Sequence, residues 1–232
     1  MRILASGLLL AFFCTFLPGC AILEDARLSS AQKQEQKRLA AIREQAAAEH
    51  SLYRSLPNWK KNTYRNAVLL ESATTDNTAI EISLSEQRGF LLVDGGIAMD
   101  FPVATGKKSH PTPAGNYSIL AKSEKYSSNL YGKIFDVEGL LVHSDADTRS
   151  DLVPEGGSFV GASMPYWMRL TNTGVGMHVG YVPGRPASHG CIRLRTETAK
   201  KLFSLTRVGT PVTVAITAPC YSPAPTNPKK PG

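Results

Sequence analysis

From Thr78 onward the hydrophobic pattern takes the period of a β-strand: Ile80, Ile82 and Leu84 alternate with polar neighbours. Successive strand side chains point to opposite faces, so such alternation marks a half-buried strand. The apolar run Gly89–Val93 leads into Asp94-Gly95-Gly96 and then into Ile97–Val103, the pattern of a hairpin closed by a tight turn. Further short β-like runs are Asn116–Leu120, Lys133–Val137, Leu140–Val142, Tyr166–Thr171, Gly176–Val179 and Val212–Ile216. One helix is predicted over Thr196–Leu205, with Thr196 as its N-cap. Short strands punctuated by Gly and Pro predict a mainly β fold, a sandwich or barrel with one or two short helices. The stretch 106–115 reads as a loop. The stretch 144–163, long, polar and without period, reads as a loop that covers a site.

A different texture precedes the strands. From Glu24 to Ser55 the chain is rich in Ala, Gln, Glu, Lys and Arg and holds no Gly or Pro, which favours helix. Leu39, Ile42 and Ala46 share one thin apolar face that Tyr53 extends. The expectation is an exposed helical stalk stopped by Pro57, followed by a linker over 56–76 whose Trp59 and Tyr64 pack on the domain. Ahead of it, Met1-Arg2 and the apolar run Ile3–Phe16 form a secretory signal, too short for a membrane span. That run ends in Leu17-Pro18-Gly19-Cys20, which looks like a bacterial lipoprotein signal with Cys20 as the lipidated residue. The expected divisions are a signal peptide at 1–19, a lipidated N-terminus, stalk and linker at 20–76, a catalytic domain at 77–217, and a Pro-rich disordered tail at 218–232. The chain is expected outside the cytoplasmic membrane, anchored by the lipid on its periplasmic side. Ala21 following the Cys fits the outer membrane in a Gram-negative host.

Charge and cysteine usage narrow the picture. The 232-residue chain has a formal net charge of +7, which suits an anionic partner such as a membrane or a wall polymer. Its basic residues are scattered, without the aromatic-interleaved patch of a nucleic-acid binder, so no nucleic-acid partner is expected. Cys14 leaves with the signal and Cys20 takes the lipid, which leaves Cys191 and Cys220. Outside the cytoplasm these two are candidates for a disulfide, or Cys191 is a working thiol.

The surroundings of Cys191 favour the working thiol. Met177-His178-Val179-Gly180 is followed, after a short loop, by Ser188-His189-Gly190-Cys191-Ile192-Arg193. A thiol attacks as thiolate, and a nearby imidazole makes that form accessible near neutral pH. His189 shares a face with Cys191 if the strand is regular. If Gly190 instead permits a sharp turn, His178 serves as base from a neighbouring strand, while the Gly190 and Cys191 N–H groups form an oxyanion hole. Arg193 is placed to bind a carboxylate.

The Ser188–Arg193 segment resembles the L,D-transpeptidase catalytic domain, or YkuD, family. The same resemblance extends to Ala104-Thr105-Gly106-Lys107 with Thr112-Pro113-Ala114-Gly115, and to Met164-Pro165-Tyr166-Trp167 leading into His178. It covers roughly Ala79 to Ile216 and implies that family's β-sandwich or barrel. It implies Cys191 as nucleophile, His178 as base and the backbone carbonyl near Val179 as the group that orients the imidazole. It further implies that Ser188 and His189 shape the loop and contact substrate, while Tyr166 divides between a wall of the substrate groove and the core. The implied reaction is attack on a peptidoglycan stem tetrapeptide, release of its terminal D-residue, and transfer of the thioester to an amine, with no metal or cofactor. The acceptor is a neighbouring stem, a wall-attached protein, a free D-amino acid or water. Two departures, the short loop after His178 and Gly180, bear on specificity.

Three other readings stand beside this one. They are a hydrolase on the same fold, a metal site of His178, His189 and Cys191, and a non-catalytic wall-binding lipoprotein. The metal reading lacks a fourth ligand and a common zinc spacing. Elsewhere, His50 is expected to be solvated on the stalk, His110 to sit on the surface and His143 to pack in the core. Trp167 divides between groove and core, and Asp145 with Asp147 falls short of a known calcium loop.

Overall fold

The computed structural model describes residues 29–217; the signal segment, Cys20, and the tail with Cys220 lie outside the described residues. The chain divides between Leu39 and Ala40 into two compact units, and every strand described belongs to the second. Helix α1 is Ser30–Ser55, one turn of 3-10 helix covers Trp59–Lys61, β1 is Tyr64–Arg65 and α2 is Ala67–Glu71. The strands β2 (Thr78–Ser83), β3 (Arg88–Val93) and β4 (Gly96–Ala104) come next, then β5 (Gly115–Ser118) and β6 (Ala121–Ser123). After them come β7 (Ser127–Phe135), β8 (Leu141–Asp147), β9 (Ser158–Ser163), β10 (Trp167–Arg169), β11 (Gly176–Val179), β12 (Ile192–Leu194), α3 (Thr196–Leu205) and β13 (Pro211–Ala215).

The fold is mainly β, as the alternation predicts. Nine strands form one sheet in the order β5-β13-β2-β3-β4-β12-β11-β10-β6, with β1 paired to β4; β8-β7-β9 form a second sheet. The β3–β4 turn has Asp94 at φ 48° and Gly95 at φ 79°. Positive φ at both central residues is the hairpin geometry that matches the twist of its strands. Strands β3 and β4 are buried along their whole length, which explains why their sequences run apolar instead of alternating. The main core joins Ile80, Ile82, Leu91, Met99 and Phe101 to Met177, Ile192 and Leu194 and to Ala199 and Leu202 of α3. Each large aliphatic or aromatic side chain so buried contributes roughly 1.5–3 kcal/mol.

Four expectations are corrected. The helix is not a bare stalk: Ala46 is 1% exposed and packs with Leu69, Val93 and Ala98. His50 is buried, not solvated, and bonds Asp100 at 2.7 Å. The linker is built into the domain, with β1 on β4 and the Trp59 ring 4.0 Å from the Arg54 guanidinium. Half of the stretch 144–163 is strand, the end of β8 and all of β9, both of which flank β7; only 148–157 between them is the expected loop. A smaller correction concerns Thr196, which is the first helical residue; Arg195 is the N-cap and makes no side-chain cap bond.

Candidate active site

Parallel pairing of β11 with β12 brings His178 and Cys191 to one end of adjacent strands. Met177 faces Ile192 and His178 faces Arg193 in that register, so Cys191 stands just before its strand, two residues ahead of the partner of His178. The apolar neighbours Met177, Ile192 and Leu194 are fully buried and anchor both strands in the core. His178 and Cys191 both line one cavity of about 470 Å³, roofed by the β7-β8-β9 sheet through residues such as Tyr131, Gly132 and Val160. Among the described residues Cys191 is a free thiol, and its Sγ lies 3.7 Å from the Gly174 carbonyl oxygen.

The His178 ring is oriented by its own strand. Nδ1 lies 2.8 Å from the Val179 carbonyl oxygen, which only accepts, so Nδ1 carries the proton and Nε2 keeps a lone pair. Burial pushes the imidazole down to about 4; the Val179 bond opposes that shift and Arg193 adds to it. At neutral pH the ring is therefore an uncharged base. Burial also raises the Cys191 thiol, against smaller lowering influences from the Gly176 backbone and Arg193. The resting pair is thus thiol and neutral imidazole, not a preformed ion pair.

The loop before Cys191 is clamped from both sides. Gly190 has φ +109°, a region that favours glycine, and its N–H donates to Ser188 Oγ at 3.1 Å. The Gly190 N–H is thereby engaged, so of the two N–H groups expected for an oxyanion hole only that of Cys191 is left for the role. The Ser188 hydroxyl donates to the Cys191 carbonyl. Thr112 Oγ1 donates to the Gly190 carbonyl at 2.7 Å and accepts from the Gly106 N–H at 2.8 Å. Gly106 has no room for a side chain, since a Cβ there would sit 2.0 Å from the His110 carbonyl. The upstream Thr-Gly and Thr-Pro segments therefore hold the 188–191 loop from behind, a role the sequence pattern alone does not assign.

The remaining predicted residues fall in different places. His189 lines the cavity, stacks on Tyr131 at 4.6 Å, and lies 2.9 Å from Lys107 Nζ through Nε2. Burial lowers its pKa; Asp145 pulls the other way. Arg193 also lines the cavity, and its stem runs over Gly180, where a Cβ would come within 2.9 Å of Cγ and Cδ. Gly180 is therefore the space that Arg193 occupies. Tyr166 turns away from the cavity: with φ 55° it packs on the core and meets Phe203 edge-on at 5.5 Å, so its substrate contact is withdrawn. Trp167 is buried between Tyr126 (5.0 Å, stacked) and the His178 ring (6.0 Å). His110 is half-buried against His189 at 4.9 Å, not simply on the surface, and His143 is exposed, not in the core. Asp147 pairs with Arg149, and Asp145 lies near Lys107 and His189. Among the described residues no three His, Cys, Asp or Glu side chains converge as a metal-binding group.

Residues 77–214 match the family model of the L,D-transpeptidase catalytic domain, YkuD. Solved structures similar to the chain include an L,D-transpeptidase from Mycobacterium smegmatis, 24% identical with a TM-score of 0.46, over 60% of this chain and 58% of that one. A mutant Enterococcus faecium L,D-transpeptidase is 28% identical with a TM-score of 0.43, over 60% of this chain and 50% of that one. An L,D-transpeptidase from Stackebrandtia nassauensis is 21% identical with a TM-score of 0.44, over 66% and 65%. The chain thus spans less than two thirds of the length of these relatives. No curated protein matches.

Proposed function

The chain belongs to the L,D-transpeptidase catalytic domain family, and from that premise we propose that it transfers acyl groups of peptidoglycan stem peptides through a thioester on Cys191. The observation that carries this reading is the pairing of a free thiol with an uncharged imidazole in one cavity. Val179 O holds the Nδ1 proton, which leaves Nε2 as acceptor. As Cys191 Sγ attacks the carbonyl before the terminal D-residue, its proton passes to His178 Nε2. The carbonyl oxygen gains negative charge and is met by the Cys191 N–H. When the C–N bond breaks, His178 returns the proton to the leaving amine and a thioester remains. An acceptor amine then attacks the thioester, gives its proton to His178, and the thiol is restored. His189 and Arg193 contact the stem from the cavity wall, Arg193 through a stem carboxylate.

The product mixture separates this reading from its rivals. The full chain is incubated with purified muropeptides and the products are read by mass spectrometry, with Cys191→Ala and His178→Ala beside it. Loss of the terminal D-residue with new cross-linked or exchanged species, absent in both variants, is the expected result. Hydrolysed stems alone would assign a hydrolase, and unchanged muropeptides would leave a wall-binding protein. The Leu17–Cys20 signature carries a second part of the proposal, lipid anchoring outside the cytoplasmic membrane. In cells, fatty-acid labelling of the chain is expected to vanish in Cys20→Ser; persistent labelling would exclude Cys20 as the site.

A further inference from the structure

The small sheet that roofs the cavity ends in an unusual tip. At the end of β7, Asp136 N–H bonds the Leu140 carbonyl at 3.0 Å and closes a tight turn into β8. Phe135 pairs with both Leu141 and Ser158, so the turn before β9 lies at the same end. The two turns touch: a Cβ on Gly156 would meet Val137 Cγ2 at 3.0 Å. Val137 is 65% exposed and Leu140 66%, and Leu141 and Val142 at the start of β8 and Val153 just ahead of the second turn are exposed as well. Clustered exposed aliphatic side chains mark an interaction surface; scattered ones do not.

The charge around this tip says what fits it. Six acidic and two basic residues lie between 127 and 163, giving that segment a net charge of −4 within a chain of +7. Asp136 and Glu138 stand in the first turn and Glu155 in the second, and among the described residues none of the three is ion-paired. The two basic residues are set apart: Arg149 is held by Asp147, and Lys133 lies on the cavity side. An acidic rim repels anionic lipid and nucleic acid. It attracts ammonium and guanidinium groups, and the aliphatic centre needs apolar side chains between them.

We propose that this tip is a docking surface for a cationic polypeptide segment that carries aliphatic side chains among its lysines or arginines. The surface is distinct from the thiol site, so the proposal stands or falls apart from the acyl-transfer reading. A fluorescent peptide of alternating Leu and Lys is titrated against the full chain, with Leu/Glu and Ser/Lys peptides as controls. Binding of the Leu/Lys peptide alone is expected. Either Val137→Ser with Leu140→Ser, or Glu138→Gln with Glu155→Gln, weakens it about tenfold or more. Rising salt weakens it through the second pair's charges, while Cys191→Ala leaves it unchanged. Equal thermal midpoints among the variants verify that the fold is intact. No binding, or binding indifferent to both pairs, overturns the proposal. So does self-association in sedimentation that both pairs abolish, which makes a second copy the occupant. Attachment to anionic vesicles that both pairs abolish overturns it in favour of a membrane.

Discussion

Two buried clusters in this molecule use the same kinds of side chain to opposite ends. Around Asp100, Arg88 Nε donates at 2.6 Å and His50 Nε2 lies at 2.7 Å, while the Arg88 guanidinium also donates to the backbone carbonyls of Lys60 and Asn62. Arg88 is 1% exposed and Asp100 0%, and their polar atoms are satisfied by one another and by backbone. Around Cys191, by contrast, the imidazole keeps one nitrogen free and the thiol has only a distant carbonyl at 3.7 Å. Burial without partners is costly, and at a cavity wall that cost appears as displaced pKa values rather than as structure. The first cluster fastens the helix and the 56–76 segment to β3 and β4. The second leaves two groups facing the cavity with hydrogen-bonding capacity unused.

The largest effect should come from breaking the satisfied cluster. Asp100→Ala removes the carboxylate shared by the buried Arg88 Nε and His50 Nε2 and should cost about 3–5 kcal/mol in urea denaturation. Among molecules still folded, thiol alkylation at Cys191 should be unchanged; altered alkylation would mean the clusters are coupled.

The pH dependence of stability sharpens the contrast next. His178 has a folded pKa of about 4 against an ordinary 6.5, so between those values the unfolded chain binds more protons. Stability therefore rises with pH across that window: the native state loses on the order of 3 kcal/mol as pH falls from 6.5 through 4, and nothing more from this group below that. His178→Gln should flatten that slope. An unchanged slope in the variant would assign the acid loss to other groups.

Smaller effects probe the clamp. Gly190→Ala forces a side chain onto φ +109° and should cost roughly 1–3 kcal/mol, together with a loss of turnover larger than its loss of stability. Ser188→Ala removes the hydroxyl between the Gly190 N–H and the Cys191 carbonyl and should cost about 1 kcal/mol, seen as a lower thermal midpoint. If both variants turn over normally, the clamp does not position the thiol.

Local pattern explains which elements are legible in the sequence. The β2–β4 meander is readable because its period and its Asp-Gly turn are contiguous, and β11 and α3 are placed at their observed limits by short apolar signals. Strands β6 and β12 are three residues long and β9 is mostly small and polar, so none carries a period of its own. Ser188, His189, Gly190 and Cys191 stand out as one run. Thr112 and Tyr131 do not, because their contacts to Gly190 and His189 depend on chain segments far apart in sequence. His50 is misread for the same reason, since Asp100 lies fifty residues away. Of its two readings Tyr166 takes the core, because its left-handed backbone turns the ring to Phe203.

The chemistry proposed for the cavity depends on Cys191 Sγ as the acylated atom, and the direct test is the intact mass of the full chain after brief exposure to a stem tetrapeptide. The expected result is a mass increase equal to the tetrapeptide minus the free amino acid released, which is the tripeptide less one water, mapped by digestion to Cys191 and absent in Cys191→Ala. An unmodified Cys191 in protein that turns the tetrapeptide over, or the adduct on another residue, would contradict it.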